Sequence, residues 1–548
     1  MGGVLRQLAG RFSSLADVFS NPELRRLQLA WGGFYVSEWA SFIALSIYAY
    51  RVGGAAAIGL LGVVRMLPSS LGVLAGTALA DRTKRERVLL GVHLIRATTL
   101  GAAAVVLSAG GAESLVFLLA ALTSVAGAAY RPSHLAVVPA FARTPQELVA
   151  TNVSASTFEG IAVLIGPALA GLLLTFTGEA VVVAVSSGIA LWAAFQVSRL
   201  SAGPFVPARG RGAIADLLAG ARTLAAEREP RLVIGLFASQ AFVRGVLNVL
   251  LVVAAFRLLN TGDSGVGFLN AAFGAGSLVG GLAGLALVGK RRLAQPFAAG
   301  LVMWGLPISL VGAWLHEAWA LACLAVVGAG NAVLDVSGFT MIQRRIDDAV
   351  LARVFGVFEI LVVTAVGIGS PTGALLIQQV GARPALAIAG CILPVLAAAS
   401  YLRLLGIDAS SDVPSDELKA VLAIPLFSPL PVTTLERLAG RLQSASVAAN
   451  TQIVREGDEG DLFYVIRSGI VEVSRDGRHL NTLGPSDYFG EIALLHDAPR
   501  AATCEAKTDV ELYTLARERF VSAVSGHATS AAEAERVVGR RLANDALD

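Results

Sequence analysis

The chain has 548 residues, 55% of them hydrophobic and only 15% charged, with a mean hydropathy of +0.68. Soluble globular chains carry about a quarter charged residues, so a wholly soluble protein is excluded and most of this chain belongs in lipid. The formal net charge of +3 is spread along loops rather than gathered in a patch, which argues against a nucleic-acid partner.

The first 26 residues place Val4, Leu5, Leu8, Phe12, Leu15 and Phe19 at roughly helical spacing among Arg6, Arg11 and Asp17. That pattern predicts an interfacial amphipathic segment rather than a cleaved signal. Arg6 stands where an N-myristoylation signal needs Ser or Thr, so that modification is not expected. Apolar runs long enough for a bilayer core, about 20 residues each, then follow near 27–50, 55–80, 88–108, 114–138, 151–176 and 180–198. A polar central loop covers 199–230. A second set lies near 231–257, 264–289, 294–314, 318–343, 353–379 and 383–404, making a second half over 231–405. Residues 406–418 read as a linker and 419–548 as a soluble domain.

Loops after even-numbered spans hold Arg82, Lys84, Arg85 and Arg87, then Arg143, then Arg199, Arg209, Arg211, Arg222 and Arg228; the second half repeats this with Lys290, Arg291, Arg292, Arg344 and Arg345. The opposite loops are nearly bare, with Arg51, Arg257 and Arg383 at span edges. The positive-inside rule puts the basic loops and both termini in the cytoplasm, which implies a multi-pass protein of the cell membrane. Cys323, Cys391 and Cys504 are scattered and suggest neither a disulfide framework nor a metal site.

The loop Leu79-Ala-Asp-Arg-Thr-Lys-Arg-Glu-Arg87 resembles the G-x-L-A-D-R-x-G-R-R signature of the major facilitator superfamily. Asp81, Arg82 and Arg85 match, while Thr77 and Lys84 replace the two glycines. The resemblance implies a major-facilitator fold, an α-helical membrane protein of twelve transmembrane helices in two six-helix halves, with this loop as a charge clamp of the inner gate. Gly166-Pro-Ala-Leu-Ala-Gly171 is similar to the antiporter motif of exporters in the superfamily, although Ala170 stands where a second glycine is common; it favours export over import. Ser370-Pro371-Thr-Gly373 sits at a comparable depth in the second half, as parallel repeats require.

Charges within spans are costly and are candidate functional groups. In the superfamily the first, fourth, seventh and tenth spans line a central cavity, and each carries one here: Glu38, Arg131, Arg244 and Asp335. Asn331 lies one turn from Asp335 on the same helix face. Two acids and two bases suit a small zwitterionic or amphipathic solute. Glu159 and Glu359, in corresponding spans, are candidates for proton coupling; structural pairing with neighbouring arginines is the alternative.

Past residue 419, β-rich runs alternate with Gly/Asp turns, predicting a β jelly roll with flanking helices. The segments Arg455-Glu-Gly-Asp-x-Gly-Asp-x-Phe-Tyr-Val-Ile466 and Phe489-Gly-Glu-Ile-Ala…Pro499-Arg-Ala-Ala-Thr503 closely resemble cyclic-nucleotide-binding domains, the family of the catabolite activator protein and the regulatory subunits of cAMP-dependent protein kinase. The resemblance implies that Arg500 meets the cyclic phosphate and Glu491 the ribose 2′-hydroxyl. Gly490, Ile492, Ala493, Ala501 and Ala502 complete the cassette, and small residues at 493 and 501 permit close approach. Cyclic-GMP-selective relatives commonly place Thr where Ala501 stands, which favours cyclic AMP. The stretch 531–547 is expected to form a lid helix.

No nucleophile–base pair, metal cluster or Walker loop is present in the sequence, so neither an enzyme nor a resident cofactor is expected; cyclic AMP is the regulatory ligand. The expected function is secondary active transport of a small solute, regulated by cyclic AMP. A cyclic-nucleotide-gated channel and a non-transporting solute receptor are the alternatives. Monomer and homodimer remain equally open.

Overall fold

The structure is a computed structural model that describes residues 19–525 and 536, apart from 142–144, 201–212, 285–286, 288–291, 347, 411–414, 428–429, 431–434, 436–437 and 497. Most of the predicted amphipathic segment and the expected lid at 531–547 lie outside the described residues. Contacts divide the chain into two compact units. One covers 1–338 and 353–405, the other 339–352 and 406–548.

The first unit is built from long apolar helices. In the N-terminal half these are α1 (Pro22–Arg82), α2 (Arg85–Ser108), α3 (Glu113–Ala128), α4 (Tyr130–Phe141), α5 (Pro145–Phe176) and α6 (Glu179–Ser198). Helix α1 starts five residues before the predicted span, because Asn21 caps it and Pro22 occupies the first turn, where a missing N–H costs nothing. The Asn21 side chain is buried and donates to the Phe141 carbonyl (3.1 Å) and to Glu147 (3.1 Å), tying the cap to α4 and α5.

Among the described residues, 11 helices are long and apolar enough to cross a bilayer. The first of them is of double length, and its helical dihedrals fail at Gly53 and Gly54. Gly54 has φ +60°, a conformation that side chains with a Cβ rarely adopt. The predicted first and second spans are therefore the two arms of one element broken at a glycine pair. The predicted fourth span is interrupted at Ala129, between α3 and α4.

The central loop contains a helix that its polar character did not suggest, α7 (Ala213–Ala226). Its Gly220 lies so close to α12 (Asp348–Val380) that a Cβ would come within 2.4 Å of the Arg353 carbonyl. The second half adds α8 (Arg228–Arg257), α9 (Gly262–Gly284), α10 (Ala294–Ala313), α11 (Glu317–Arg345), α12 and α13 (Ala382–Ser410). The last runs six residues past the predicted end of its span.

The second unit contains a short helix, α14 (Ser415–Leu422), a 3-10 turn at Pro425–Phe427, and eight strands. These are β1 (Gln443–Val447), β2 (Gln452–Val454), β3 (Leu462–Ser468), β4 (Val471–Arg475), β5 (Arg478–Leu483), β6 (Tyr488–Phe489), β7 (Thr503–Ala506) and β8 (Val510–Ala516). They form two antiparallel sheets, ordered β1-β8-β3-β6 and β2-β7-β4-β5. Helix α15 (Glu491–His496) follows β6, and α16 (Arg517–Ser525) follows β8.

Asp476 and Gly477, with φ of +48° and +76°, make the tight turn between β4 and β5 that an Asp-Gly pair favours. The aromatic rings of Phe427, Phe463 and Phe520 join the entry turn, β3 and α16; Phe463 stacks on Phe520 at 4.6 Å. The three are fully buried. This packing holds the outer helices on the sandwich and fixes the strands that carry the pocket.

Candidate functional site

The pocket of the β-sandwich forms where β6 ends and α15 begins. Gly490, at φ +92°, turns the chain there, and a Cβ on it would meet Arg500 Nη1 at 2.5 Å. Only glycine lets the backbone bend and the guanidinium pass at the same point. Arg500 is 6% exposed. Its Nη1 donates to the Gly490 carbonyl (3.0 Å) and its Nη2 to the Leu462 carbonyl (2.7 Å), while its guanidinium carbon stands 5.7 Å from the Tyr464 ring centroid. Tyr464 stacks in turn on Phe489 at 4.8 Å, and burial raises its phenol pKa above the ordinary value.

The backbone of Arg500 is fixed as well. Its N–H donates to the Asp458 carbonyl (2.8 Å), and its carbonyl accepts from Gly457 (2.9 Å). Gly460 faces the same guanidinium; a Cβ there would lie 3.0 Å from Arg500 Cζ and 2.9 Å from Ala493 Cβ. The sequence marked Gly460 as a turn former, and the structure adds a packing reason.

Glu491, the first residue of α15, is 1% exposed. It lines a cavity of about 160 Å³ together with Gly490, Ile492, Ala493, Arg500, Ala501 and Ala502. All seven cassette residues expected from the sequence therefore border one space. A buried cation and a buried carboxylate lining one small cavity suit a ligand that offers both an anion and a hydroxyl.

Sequence reasoning missed part of the lining. Val473 and Arg475 of β4 and Asn481 and Leu483 of β5 also line the cavity. Arg475 Nε donates to the Ala501 carbonyl (2.8 Å), bracing the residue after Arg500. The signal was present in the period-two alternation Val473–Arg475 and in the pairing of Val473 with Asn481, which put these side chains on one face.

In the membrane unit the predicted charges divide into two groups. Arg131 lies within electrostatic reach of Glu159, Glu359 and Asp335, and Arg244 within reach of Asp335 and Glu159. Arg131 pairs with Glu159 at 3.7 Å, with side chains 52% and 30% exposed. Asn331 donates to Asp335 (2.8 Å) and accepts from the Trp304 indole (3.1 Å), so it orients the acid from the same helix. Arg244 stands 5.7 Å from the Trp39 ring centroid.

Glu38 is placed differently from the other three charges predicted for the cavity. Its two oxygens pair with Arg65 (2.7 Å) and Arg96 (2.5 Å), whose side chains are 2% and 0% exposed. Arg65 Nε also donates to Ser124 (2.9 Å), and Arg96 packs over Phe34 at 4.5 Å. Of the gate motif, Arg85 opens α2, and the side chains of Asp81 and Arg82 lie outside the described residues.

The fold and pocket together define a multi-pass membrane protein joined to a ligand-binding β-sandwich. Residues 32–427 match the major-facilitator family model described as transmembrane secretion effector, and 445–527 match the cyclic nucleotide-binding domain model. The chain belongs to that major-facilitator family and carries a cyclic nucleotide-binding domain near its C-terminus.

Curated relatives match the latter domain. A cAMP-dependent protein kinase regulatory subunit of Yarrowia lipolytica is 41% identical over 99 residues, covering 18% of this chain and 26% of that protein. One of Eremothecium gossypii is 40% identical over 95 residues, covering 17% and 21%. The chain thus spans about a quarter of the length of these relatives. Among solved structures, the regulatory domain of Toxoplasma gondii PKA with cAMP is 35% identical over 21% of this chain and 45% of that one, with a TM-score of 0.20. The Thermus thermophilus catabolite activator protein is 29% identical over 23% and 61%, with a TM-score of 0.21.

Proposed function

We propose that the protein is a secondary active transporter that exports a small solute, and that cyclic AMP bound by the cytoplasmic C-terminal domain biases its gate. The observation that carries this reading is that Arg500 and Glu491 line one cavity, in a chain that belongs to a transporter family. Arg500 supplies a fixed cation for the cyclic phosphate, and Glu491 accepts from the ribose 2′-hydroxyl. Ala501 offers no side-chain hydroxyl to a guanine edge, which supports adenine. The names of the kinase regulatory relatives support the same nucleotide.

In the membrane unit, Arg131, Arg244, Asp335 and Asn331 form the proposed solute site, with Glu159 and Glu359 as the proposed proton-coupling carboxylates. The family match over residues 32–427 supports a carrier over a channel. Binding needs to supply only about 1–3 kcal/mol of differential stabilisation between gate states to change transport severalfold.

The test is calorimetric titration of the purified full-length protein with cyclic AMP and cyclic GMP. Micromolar or tighter binding of cyclic AMP, at least tenfold tighter than cyclic GMP, is the expected result. No binding of either nucleotide would overturn the regulatory reading. Transport is then measured in proteoliposomes with and without cyclic AMP, across an imposed and a collapsed pH gradient.

A further inference from the structure

Three arginines stand at span edges in otherwise bare loops, and the transport cavity and the nucleotide pocket account for none of them. Two, Arg51 and Arg257, meet the opposite half of the bundle at one end. Arg51 lies at the end of the first arm of α1, just before the Gly53–Gly54 break. Its Nη1 pairs with Glu179 at the start of α6 (2.9 Å), and its Nη2 pairs with Asp263 in the first turn of α9. Glu179 belongs to the N-terminal half and Asp263 to the C-terminal half, so one guanidinium bridges the two.

Arg257, in the last turn of α8, reaches back the other way. Its Nε donates to the Tyr50 hydroxyl (3.1 Å), and the Tyr50 and Phe256 rings lie 4.7 Å apart. Arg51 ends the first span of one half and Arg257 the first span of the other. The two crossings are thus related as the halves are, each sending an arginine from corresponding positions into its partner.

The helices beneath this end pack closely where glycines meet the neighbouring helix. A Cβ on Gly267 of α9 would lie 2.5 Å from Gly171 Cα of α5, and a Cβ on Gly62 of α1 would meet the Ser370 side chain of α12 at 2.4 Å. A Cβ on Gly59 would meet Ala374 Cβ at 3.1 Å. The two halves are in backbone contact within about two turns of the Arg51 bridge.

We propose that Arg51 is the latch of the gate at this end, the end opposite the basic loops. The structure is then a state closed at this end, with Arg51 holding Glu179 and Asp263 across the seam and Arg257 on Tyr50 as the second crossing. Breaking the latch moves the population toward a state open at this end. The Arg51 side chain is 50% exposed, so the bridge is of the modest, salt-sensitive kind. A threefold to tenfold rise in the open population is the expected scale.

The test uses the full-length protein with Cys323, Cys391 and Cys504 replaced by serine, and spin labels at F176C and W314C, positions 80% and 61% exposed in opposite halves. Double electron–electron resonance then reports the separation at this end. The parent is expected to show mainly the short distance, Arg51→Glu at least a threefold larger long-distance fraction, and Arg51→Glu with Asp263→Arg a return toward the parent. Raising NaCl to 1 M on the parent tests the same pair without a folding risk and is expected to enlarge the long-distance fraction. An Arg51→Glu distribution equal to the parent's, a double variant as open as the single, or no response to salt would overturn the proposal. Cyclic AMP is absent throughout, so this result stands or falls apart from the nucleotide reading.

Discussion

The clamp around Glu38 and the pocket around Arg500 both hold arginine out of bulk water, yet they satisfy it differently. In the clamp, one carboxylate pairs with two guanidiniums, a serine takes a further N–H, and an aromatic face covers the second arginine. In the pocket, Arg500 is held by two backbone carbonyls, and among the described residues no carboxylate lies within ion-pair distance of it. Its charge is oriented without being neutralised, and a cavity of about 160 Å³ lies beside it. The arginines of the clamp are neutralised by a protein carboxylate. Arg500 is held by carbonyls with its charge beside the cavity, the arrangement that the proposed cyclic-phosphate contact requires.

The sharpest way to break this comparison is to remove the acid from the clamp. Glu38→Gln leaves two buried arginines without their carboxylate, and breaking a buried pair costs about 3–5 kcal/mol. The thermal midpoint of the detergent-purified protein should fall by several degrees while cyclic AMP affinity stays within about twofold of wild type. A midpoint unchanged from wild type would show that the clamp is not structural.

Removing the arginine from the pocket should produce the opposite pattern. Charge-assisted hydrogen bonds contribute about 1.5–3 kcal/mol each, so Arg500→Ala should weaken cyclic AMP binding by at least about 100-fold, read by calorimetry. Its thermal midpoint without nucleotide should move much less than that of Glu38→Gln. Glu491→Gln alters the proposed acceptor of one ligand hydroxyl, and about a tenfold loss is expected. The more telling readout is 2′-deoxy-cyclic AMP, which wild type should bind about tenfold worse than cyclic AMP and the variant about equally well.

How much of this was legible in the sequence follows from the range over which each feature is encoded. The cassette from Phe489 to Thr503 is local, so Gly490, Glu491 and Arg500 could be placed before any fold was known. The wall formed by Arg475 and Asn481 depends on which strands pair, and that is fixed only by the register of β4 against β5. Span positions came from apolar runs, but the fusion of two spans into α1 and the helix α7 did not, because a glycine pair and a polar segment each allow a loop or a helix. Depth in the first span points to Glu38 as a cavity charge, whereas its ion-pair partners, Arg65 and Arg96, lie 27 and 58 residues away and are brought in only by packing.

The same contrast recurs inside the membrane unit, where it yields the smallest effect. Glu159 meets Arg131 at 3.7 Å with both side chains partly exposed, a looser arrangement than the 2.5 and 2.7 Å contacts of Glu38. Partly exposed pairs are worth about 0–1 kcal/mol, so Glu159→Gln should leave the thermal midpoint within about two degrees of wild type. If Glu159 also carries the coupling proton, the variant should lose the stimulation of transport by an imposed pH gradient while keeping its cyclic AMP affinity. A midpoint drop as large as that of Glu38→Gln would place Glu159 among the structural acids and remove it from the transport site. An unchanged midpoint with intact gradient stimulation would leave it in the cavity and hand the proton to Glu359 or Asp335, the other acids within reach of Arg131.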